Sequence, residues 1–251
     1  MESYATTQQV YAAGLIFARM SALVMLIPGL GEVAVPPRIR LAFAFALALM
    51  LFPVLGAMIP PVPTAISGVA SAVIKEVVIG LLIGSILRMF MGAMAVAGEI
   101  VSLQTTLSFS QTANPREAQP SASLATFLGL FGLILVLATN LHHLFFSAIV
   151  RSYSVFPFAK PVLVGDSVAL AVQTVARSFA LGLQMSAPVV VFALVFNIAT
   201  GLVGRVMPQF QIFFVATPLM VLMGLSVFAL SLGVIGMVWI DRYRDLIAVF
   251  G

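Results

Sequence analysis

Three arginines lie inside long apolar runs of this sequence: Arg19, Arg88 and Arg177. A charged side chain in such a run is costly, and it usually faces a partner or a water-filled path. The corresponding roles are a structural pair with a neighbouring helix and a binding site for an anionic solute. Acidic residues that could serve as partners are few, chiefly Glu32, Glu76 and Glu99. The arginines alone leave both roles open.

A narrow polar stripe includes one of these arginines. Gln173, Arg177 and Gln184 are spaced i, i+4 and i+11, which places them within about 40° of one another on a helix. Such a stripe faces an aqueous lumen or joins neighbouring helices through hydrogen bonds. For a membrane protein of unknown class, the second interpretation is favoured.

Residues that support catalysis or metal binding are scarce. His142 and His143 are the only histidines, and adjacent helical residues point about 100° apart, so the two cannot readily chelate one metal. Cysteine is absent, and the sequence contains no phosphate-binding loop, nucleophile elbow or HExxH motif. We therefore expect neither an enzyme nor a bound cofactor or metal.

Composition predicts the elements that must position these residues. Hydrophobic residues make up 62% of the chain, charged residues only 8%, and the mean hydropathy is +1.17, which excludes a soluble globular protein. The net charge of +4 comes from scattered Lys and Arg without a basic run, so nucleic acid is excluded as a partner. The sequence predicts an all-α membrane protein of long hydrophobic helices and helical hairpins.

About six apolar segments are expected, at residues 10–30, 39–59, 73–98, 124–150, 168–203 and 212–239. A helix needs about 20 apolar residues to span a bilayer, so most of these runs qualify singly. The run at 168–203 would extend over about 50 Å, beyond the hydrocarbon core of about 30 Å. Pro188 near its middle predicts either a hairpin or a long helix that leaves the bilayer. Gly80 and Gly84 form a GxxxG pattern that favours close helix approach.

One segment, residues 99–123, is unlike the rest of the chain. Fifteen of its 25 residues are charged or hydrogen-bonding, and Pro115 and Pro120 interrupt any helix. Such a segment lies outside the hydrocarbon or lines a watery cavity. From composition alone, an ordinary exposed loop is the favoured interpretation.

Four local patterns together resemble one family. The first is Ala97-Gly98-Glu99, Leu103-Gln104, Leu107-Ser108-Phe109 and Pro115. The second is Asn140-Leu141-His142, Ser154 and Phe156-Pro157. The third and most specific is Asn197-Ile198-Ala199-Thr200-Gly201-Leu202, Arg205, Pro208-Gln209, Ile212-Phe213 and Pro218-Leu219. The fourth is Pro28, Pro36, Arg38 and Arg40. In this order, over nearly the whole chain, they resemble the FliR/SctT family of export-gate subunits from flagellar type III secretion and the related injectisomes.

The sequence departs from the family pattern at three places. Thr106 stands where the family usually has Gly, Leu141 replaces a frequent Gly, and Thr217-Pro218-Leu219-Met220 replaces a Phe-Pro-Leu-Lys-like stretch. Thr106 matters most, because glycine allows backbone conformations that a β-branched residue resists. The resemblance therefore predicts a local difference in the backbone at Thr106.

The resemblance implies a single export-gate domain over residues 1–251 in the bacterial inner membrane, at the flagellar basal body. Its implied partners are FliP-type and FliQ-type membrane subunits, a switch protein of the FlhB type and unfolded substrates in transit. The segment at about 105–123 would be the plug that closes the channel, with Gln104, Thr106, Leu107, Phe109 and Pro115 as gate residues. Candidates for assembly or the lumen are Arg88, Gln173, Arg177, Gln184, Asn197, Arg205, Pro208 and Gln209.

Two alternatives are kept. An injectisome homologue shares the same motifs, and nothing in these residues separates it cleanly from a flagellar subunit. A protein of another class, a secondary transporter for an anionic solute, would use Arg88 or the stripe of Gln173, Arg177 and Gln184. Such a transporter usually has repeated halves with matching broken helices, and the sequence shows no repeat.

Overall fold

The computed structural model describes residues 6–32, 34–107, 123–158, 164–207, 209 and 211–248. Over these residues every regular element is helical and no strand occurs. The helices are α1 (Thr7–Val24), α2 (Pro37–Leu55), α3 (Ile66–Gln104), α4 (Ser123–Ala138), α5 (Leu141–Val155), α6 (Val164–Val206) and α7 (Ile212–Ala248). A short 3-10 turn, Gly56–Met58, follows α2. The predicted all-α membrane protein is confirmed.

Within the described residues, four helices are long and apolar enough to cross a membrane: α2, α3, α6 and α7. A fifth span arises if α4 and α5 are taken together across the break between them. The helix α1 is not among them, because its first turn is polar and it carries Arg19. The expected number of about six apolar segments is therefore approximately right.

The predicted run at 124–150 is interrupted where α4 ends and α5 begins. Asn140 has a φ of 56°, a left-handed conformation that no α-helix continues through. Asparagine adopts this conformation more readily than most residues, so the break is encoded locally. The sequence prediction treated these residues as one run because the apolar residues continue on both sides.

The run at 168–203 forms part of one continuous helix. Of the two alternatives, the structure has the long helix: α6 contains 43 residues, with Pro188 inside it. At about 1.5 Å per residue it extends over about 65 Å, roughly twice a hydrocarbon core. An α-helix of this length reaches beyond the bilayer or lies within a larger protein assembly.

The chain divides into two compact units. The first comprises Met1–Phe90, Asn140–Val175 and Leu246–Gly251, and the second comprises Met91–Thr139 and Ala176–Asp245. In the first unit, the buried face of α1 includes Ile16, Met20 and Leu23. In the second unit, the end of α3 packs closely on α4: a Cβ placed on Gly98 would lie 2.5 Å from the Cα of Ala125.

The GxxxG pattern lies at a close approach of α3 to α1 in the first unit. A Cβ built on Gly80 would lie 2.5 Å from the carbonyl oxygen of Arg19, and one on Gly84 would lie 2.7 Å from Cβ of Leu26. No side chain fits at such distances without a shift of the backbone. The close helix approach predicted from Gly80 and Gly84 is therefore confirmed.

Candidate functional site

Arg19 is fully buried in the first unit and is surrounded by hydrogen-bond acceptors. Its Nε donates to Oε2 of Glu76 at 2.6 Å. Its Nη1 donates to the carbonyl oxygen and Oγ of Ser152, at 3.2 and 3.3 Å, and its Nη2 donates to the carbonyl of Phe156 at 2.9 Å. The guanidinium carbon lies 3.9 Å from the centre of the Tyr153 ring, within cation–π range. Of the two roles open for these arginines, Arg19 has the structural one.

Lys75 adds a second cation to the same place. Its Nζ donates to the carbonyls of Pro157 and Phe158, at 3.0 and 2.7 Å. Both carbonyls follow Val155, the last residue of α5, and the negative end of the helix dipole makes a cation favourable there. We call Arg19, Lys75, Glu76, Ser152 and Tyr153 the Arg19 cluster; it joins the end of α5 to α1 and α3.

The sequence pointed to part of this cluster only. Glu76 was one of three acids available to the arginines, and a carboxylate or carbonyl was the expected kind of partner. Ser152 and the carbonyls at the end of α5 were missed, because the residue types do not indicate which main-chain carbonyls accept a hydrogen bond. The neighbouring Lys75 and Glu76, on an otherwise apolar helix, were the available signal.

Arg88 and Arg177 differ from Arg19. Both side chains are exposed, and neither forms an ion pair within the described residues. Gln173 and Gln184 are exposed on α6 as well. Gln184 also lines a small cavity of about 240 Å³ beside Pro188 and Val234. These residues are thus open to a lumen, to lipid or to another subunit.

The plug-like segment begins at the end of α3. Thr105 is buried, and its Oγ1 donates to the carbonyl of Val101 at 2.8 Å. Thr106 has a φ of 61°, the left-handed conformation that glycine adopts most readily. Threonine therefore takes the strained conformation that glycine would adopt freely. The predicted difference of the backbone from that of the family stays a prediction.

The other predicted gate residues follow directly or lie outside the described part. Gln104 is the last residue of α3, and Leu107 lies in the turn after it; both are half-buried. Phe109 and Pro115 lie outside the described residues, as does the rest of the segment up to residue 122. In the second unit, α7 contacts the start of this turn, because a Cβ on Gly224 would lie 2.6 Å from Cγ2 of Thr105.

A groove of about 670 Å³ lies where α6 ends and α7 begins. Its walls include Asn197, Thr200 and Gly201 from α6, Phe214 and Met220 from α7, and Gln211 and Thr106 from outside both helices. We call it the α6–α7 groove. It coincides with the third and most specific sequence pattern, whose first residues form one wall.

The remaining residues of that pattern lie around the groove. Arg205 is exposed in the last turn of α6, and Gln209 is exposed in the connection to α7. Pro208 lies outside the described residues. The structure thus brings Asn197 together with Thr106, two residues that the sequence placed in different candidate sets.

Metal ligands do not come together in the part of the chain that the structure describes, where no group of three or more His, Asp or Glu side chains occurs. The His142 and His143 ring centres are 4.3 Å apart. His142 is half-buried and His143 is exposed, and among the described residues no carboxylate completes a metal-binding group with them.

Helices this long and apolar define a helical membrane protein. The chain belongs to the family described as bacterial export proteins, family 1, whose model matches residues 10–246. The resemblance inferred from the four sequence patterns is confirmed by this match.

The chain is similar over most or all of its length to proteins named flagellar biosynthetic protein FliR. That of Caulobacter vibrioides is 58% identical over 250 residues, which cover 100% of both chains. That of Bacillus subtilis is 29% identical, with 94% of this chain and 95% of the relative covered. That of Escherichia coli is 28% identical, with 84% of this chain and 80% of the relative covered.

Proposed function

We propose that this chain is a channel subunit of a flagellar protein-export gate, and that it helps unfolded proteins cross the bacterial inner membrane. The observation that carries the proposal is its similarity over the full length to a protein named for flagellar biosynthesis, at 58% identity. The uninterrupted family match over residues 10–246 supports a single functional domain. The flagellar names of the relatives favour this role over that of an injectisome subunit.

Its proposed partners are FliP-type and FliQ-type membrane subunits and a switch protein of the FlhB type. Support comes from large apolar side chains left exposed on the spanning helices, such as Met50 on α2 (77% exposed) and Leu230 on α7 (86% exposed). Such faces are covered by lipid or by other apolar subunits. The long helices α3 and α6 suit a protein assembly that extends beyond the bilayer.

The proposal is tested by purifying the tagged chain from its native host in mild detergent and identifying the proteins that co-purify by mass spectrometry. Two small, very apolar membrane proteins in larger amounts than the chain are expected. A lone monomer or homodimer, under conditions that preserve other membrane complexes of the same cells, would contradict the proposal.

We also propose that residues 105–123 close the channel. Support comes from the family match, which includes this segment, and from the left-handed Thr106 at its start, which turns the chain out of α3. Deleting residues 108–120 should leave assembly intact and make the resting channel leak small ions. Unchanged ion conductance in the deletion, measured at equal amounts of complex, would identify the segment as an ordinary loop.

The alternative function, transport of an anionic solute, has less support from the site. Arg19 is enclosed by Glu76 and main-chain carbonyls, so it is committed to structure. The described residues that line the α6–α7 groove include no charged side chain. Arg88 and Arg177 remain the residues with which such a transporter would have to bind its solute.

A further inference from the structure

The α6–α7 groove has the chemistry of a binding site for an uncharged, amide-bearing ligand. Its volume of about 670 Å³ lies in the range of ligand-binding clefts. All the described residues that line it belong to the second unit, and none of these carries a charge. They therefore provide no cation for a phosphate, a nucleotide or an anionic headgroup.

Three polar groups in the groove have no hydrogen-bond partner among the residues that the structure describes. The side-chain amides of Asn197 and Gln211 make no hydrogen bond to any described residue, and each offers both donors and an acceptor. The Oγ1 of Thr106 is buried and likewise has no hydrogen-bond partner among the described residues. Of the three groups only the Thr106 hydroxyl is buried, whereas Asn197 and Gln211 are exposed. A buried polar group without a partner costs about 1–3 kcal/mol, so a ligand that pairs with the Thr106 hydroxyl is favoured, and the two exposed amides are free to bind the same ligand.

The rest of the lining is apolar or small. Phe214 is 78% exposed beside the groove, and Phe196 and Met220 provide further apolar surface. Gly201 lies on the α6 wall, and a Cβ built on it would meet no atom within 4 Å. A glycine wall lets the main chain of a ligand approach closely.

We propose that the α6–α7 groove binds an extended segment of the polypeptide in transit, mainly through its main chain. This inference rests on the proposed function and names the place where the substrate is contacted. Main-chain N–H and C=O groups match the unpaired amides of Asn197 and Gln211, and they are common to every sequence. Because the described lining residues carry no charge, they do not discriminate between passing segments of different charge. A lipid acyl chain fits less well, because it would cover both amides without pairing them.

Photo-crosslinking in living cells tests the contact directly. Phe214 is replaced by p-benzoylphenylalanine in the full chain, in its native complex, while an export substrate fused to a tightly folding domain is stalled in the channel. Leu230, an 86% exposed residue of the same helix outside the groove lining, is replaced in the control. We expect an adduct with the stalled substrate from position 214 and none from position 230. Adducts with lipid only, or none with the substrate while it blocks export, would overturn the inference.

A pair of matched glycine substitutions tests the role of the groove in export. Gly201→Leu fills it, whereas Gly233→Leu adds the same side chain to α7 at a position that also has nothing within 4 Å of a Cβ. Both changes replace a helical glycine in open space, so neither should impair folding. We expect Gly201→Leu to reduce secretion at least fivefold at an unchanged amount of complex, and Gly233→Leu to change it less than twofold.

The outcomes separate this inference from the proposed function. If cells that lack the chain export normally, the proposed function itself is wrong. If export requires the chain, yet Gly201→Leu secretes normally and position 214 forms no substrate adduct, the export subunit stands and only the peptide-binding groove is rejected.

Discussion

Arg19 shows how a charge is stabilised within an apolar helix. Every nitrogen of its guanidinium donates to an acceptor, and its carbon lies over the Tyr153 ring. The sequence predicted a charge that needs a partner, because an arginine in an apolar run is otherwise too costly. It could not predict the geometry, since two of the acceptors are main-chain carbonyls brought close by the end of α5.

Breaking this pair should be strongly destabilising. Arg19→Met leaves Glu76 buried without its cation, and we expect a loss of about 3–5 kcal/mol, the range for a broken buried ion pair. Combining Arg19→Met with Glu76→Leu should recover part of the loss, because no charge then remains buried. Recovery stays incomplete, since the carbonyls of Ser152 and Phe156 still lack their donor. The measurement is the thermal stability of the purified protein in detergent.

An exposed ion pair serves as the control. Arg242 and Asp245 lie 3.9 Å apart, and both side chains are more than half exposed, so Arg242→Met should cost less than about 1 kcal/mol. Equal losses from Arg19→Met and Arg242→Met would show that burial of the Arg19 cluster contributes nothing.

Thr106 is a second residue of interest, because its side chain and its left-handed backbone conformation conflict. A left-handed conformation costs a non-glycine residue about 1–2 kcal/mol, whereas glycine adopts it freely but loses more entropy on folding. We expect Thr106→Gly to raise stability by about 1 kcal/mol. Asn140→Gly, at the other left-handed position with a φ of 56°, should gain less, because asparagine tolerates this conformation. A lower thermal stability in Thr106→Gly would mean that the threonine side chain contributes contacts that exceed its strain.

At the scale of the helices, apolar runs predicted where α2, α3 and α7 lie, but not where all helices end. The break at Asn140 was missed because it depends on one backbone angle within a run of continuing apolarity. Pro188 was expected to kink or split α6 or leave a long helix, and hydropathy could not choose among these. A proline removes one hydrogen bond and disturbs one turn, and the helix continues on either side.

The close packing of α3 against α1 predicts that a glycine-to-alanine change lowers stability at the contact and raises it elsewhere on the same helix. Replacing a helical glycine by alanine normally stabilises by about 1 kcal/mol. We expect this gain for Gly92→Ala, where an added Cβ meets nothing within 4 Å. For Gly80→Ala we expect a net loss of about 1–3 kcal/mol, because the Cβ would lie 2.5 Å from a main-chain oxygen. Thermal melts of the two variants in detergent check this, and a stabilised Gly80→Ala would contradict the close approach.

At the scale of the whole molecule, composition indicates that apolar side chains must remain exposed. A chain with 62% hydrophobic residues cannot bury all of them in its own core. Which faces remain open could not be predicted, because helices that are apolar all round show no preferred side. The α6–α7 groove could not be predicted either, since it depends on the meeting of α6, α7 and Thr106.

Replacing Arg205 tests whether the exposed surface at the end of α6 contacts another subunit of the assembly. It lies in the last turn of α6, where a cation also stabilises the helix end, and it forms no ion pair within the described residues. We expect Arg205→Ala to reduce the recovery of the purified complex several-fold and to lower the stability of the isolated chain by less than about 1 kcal/mol. Arg116→Ala, in the polar segment outside the described residues, should leave recovery near normal. Equal recovery of the two variants would remove any special role for Arg205.

The order of synthesis gives the Arg19 cluster a further consequence. Arg19 leaves the ribosome 57 residues before Glu76 and 133 residues before Ser152. Until both have followed, its guanidinium lacks the carboxylate that neutralises it and the carbonyls that accept its hydrogen bonds. A nascent chain that stops before Ser152 therefore carries a guanidinium without these main-chain acceptors in α1. The arginine of α1 thus gains all its hydrogen-bond partners only when the end of α5 has been translated.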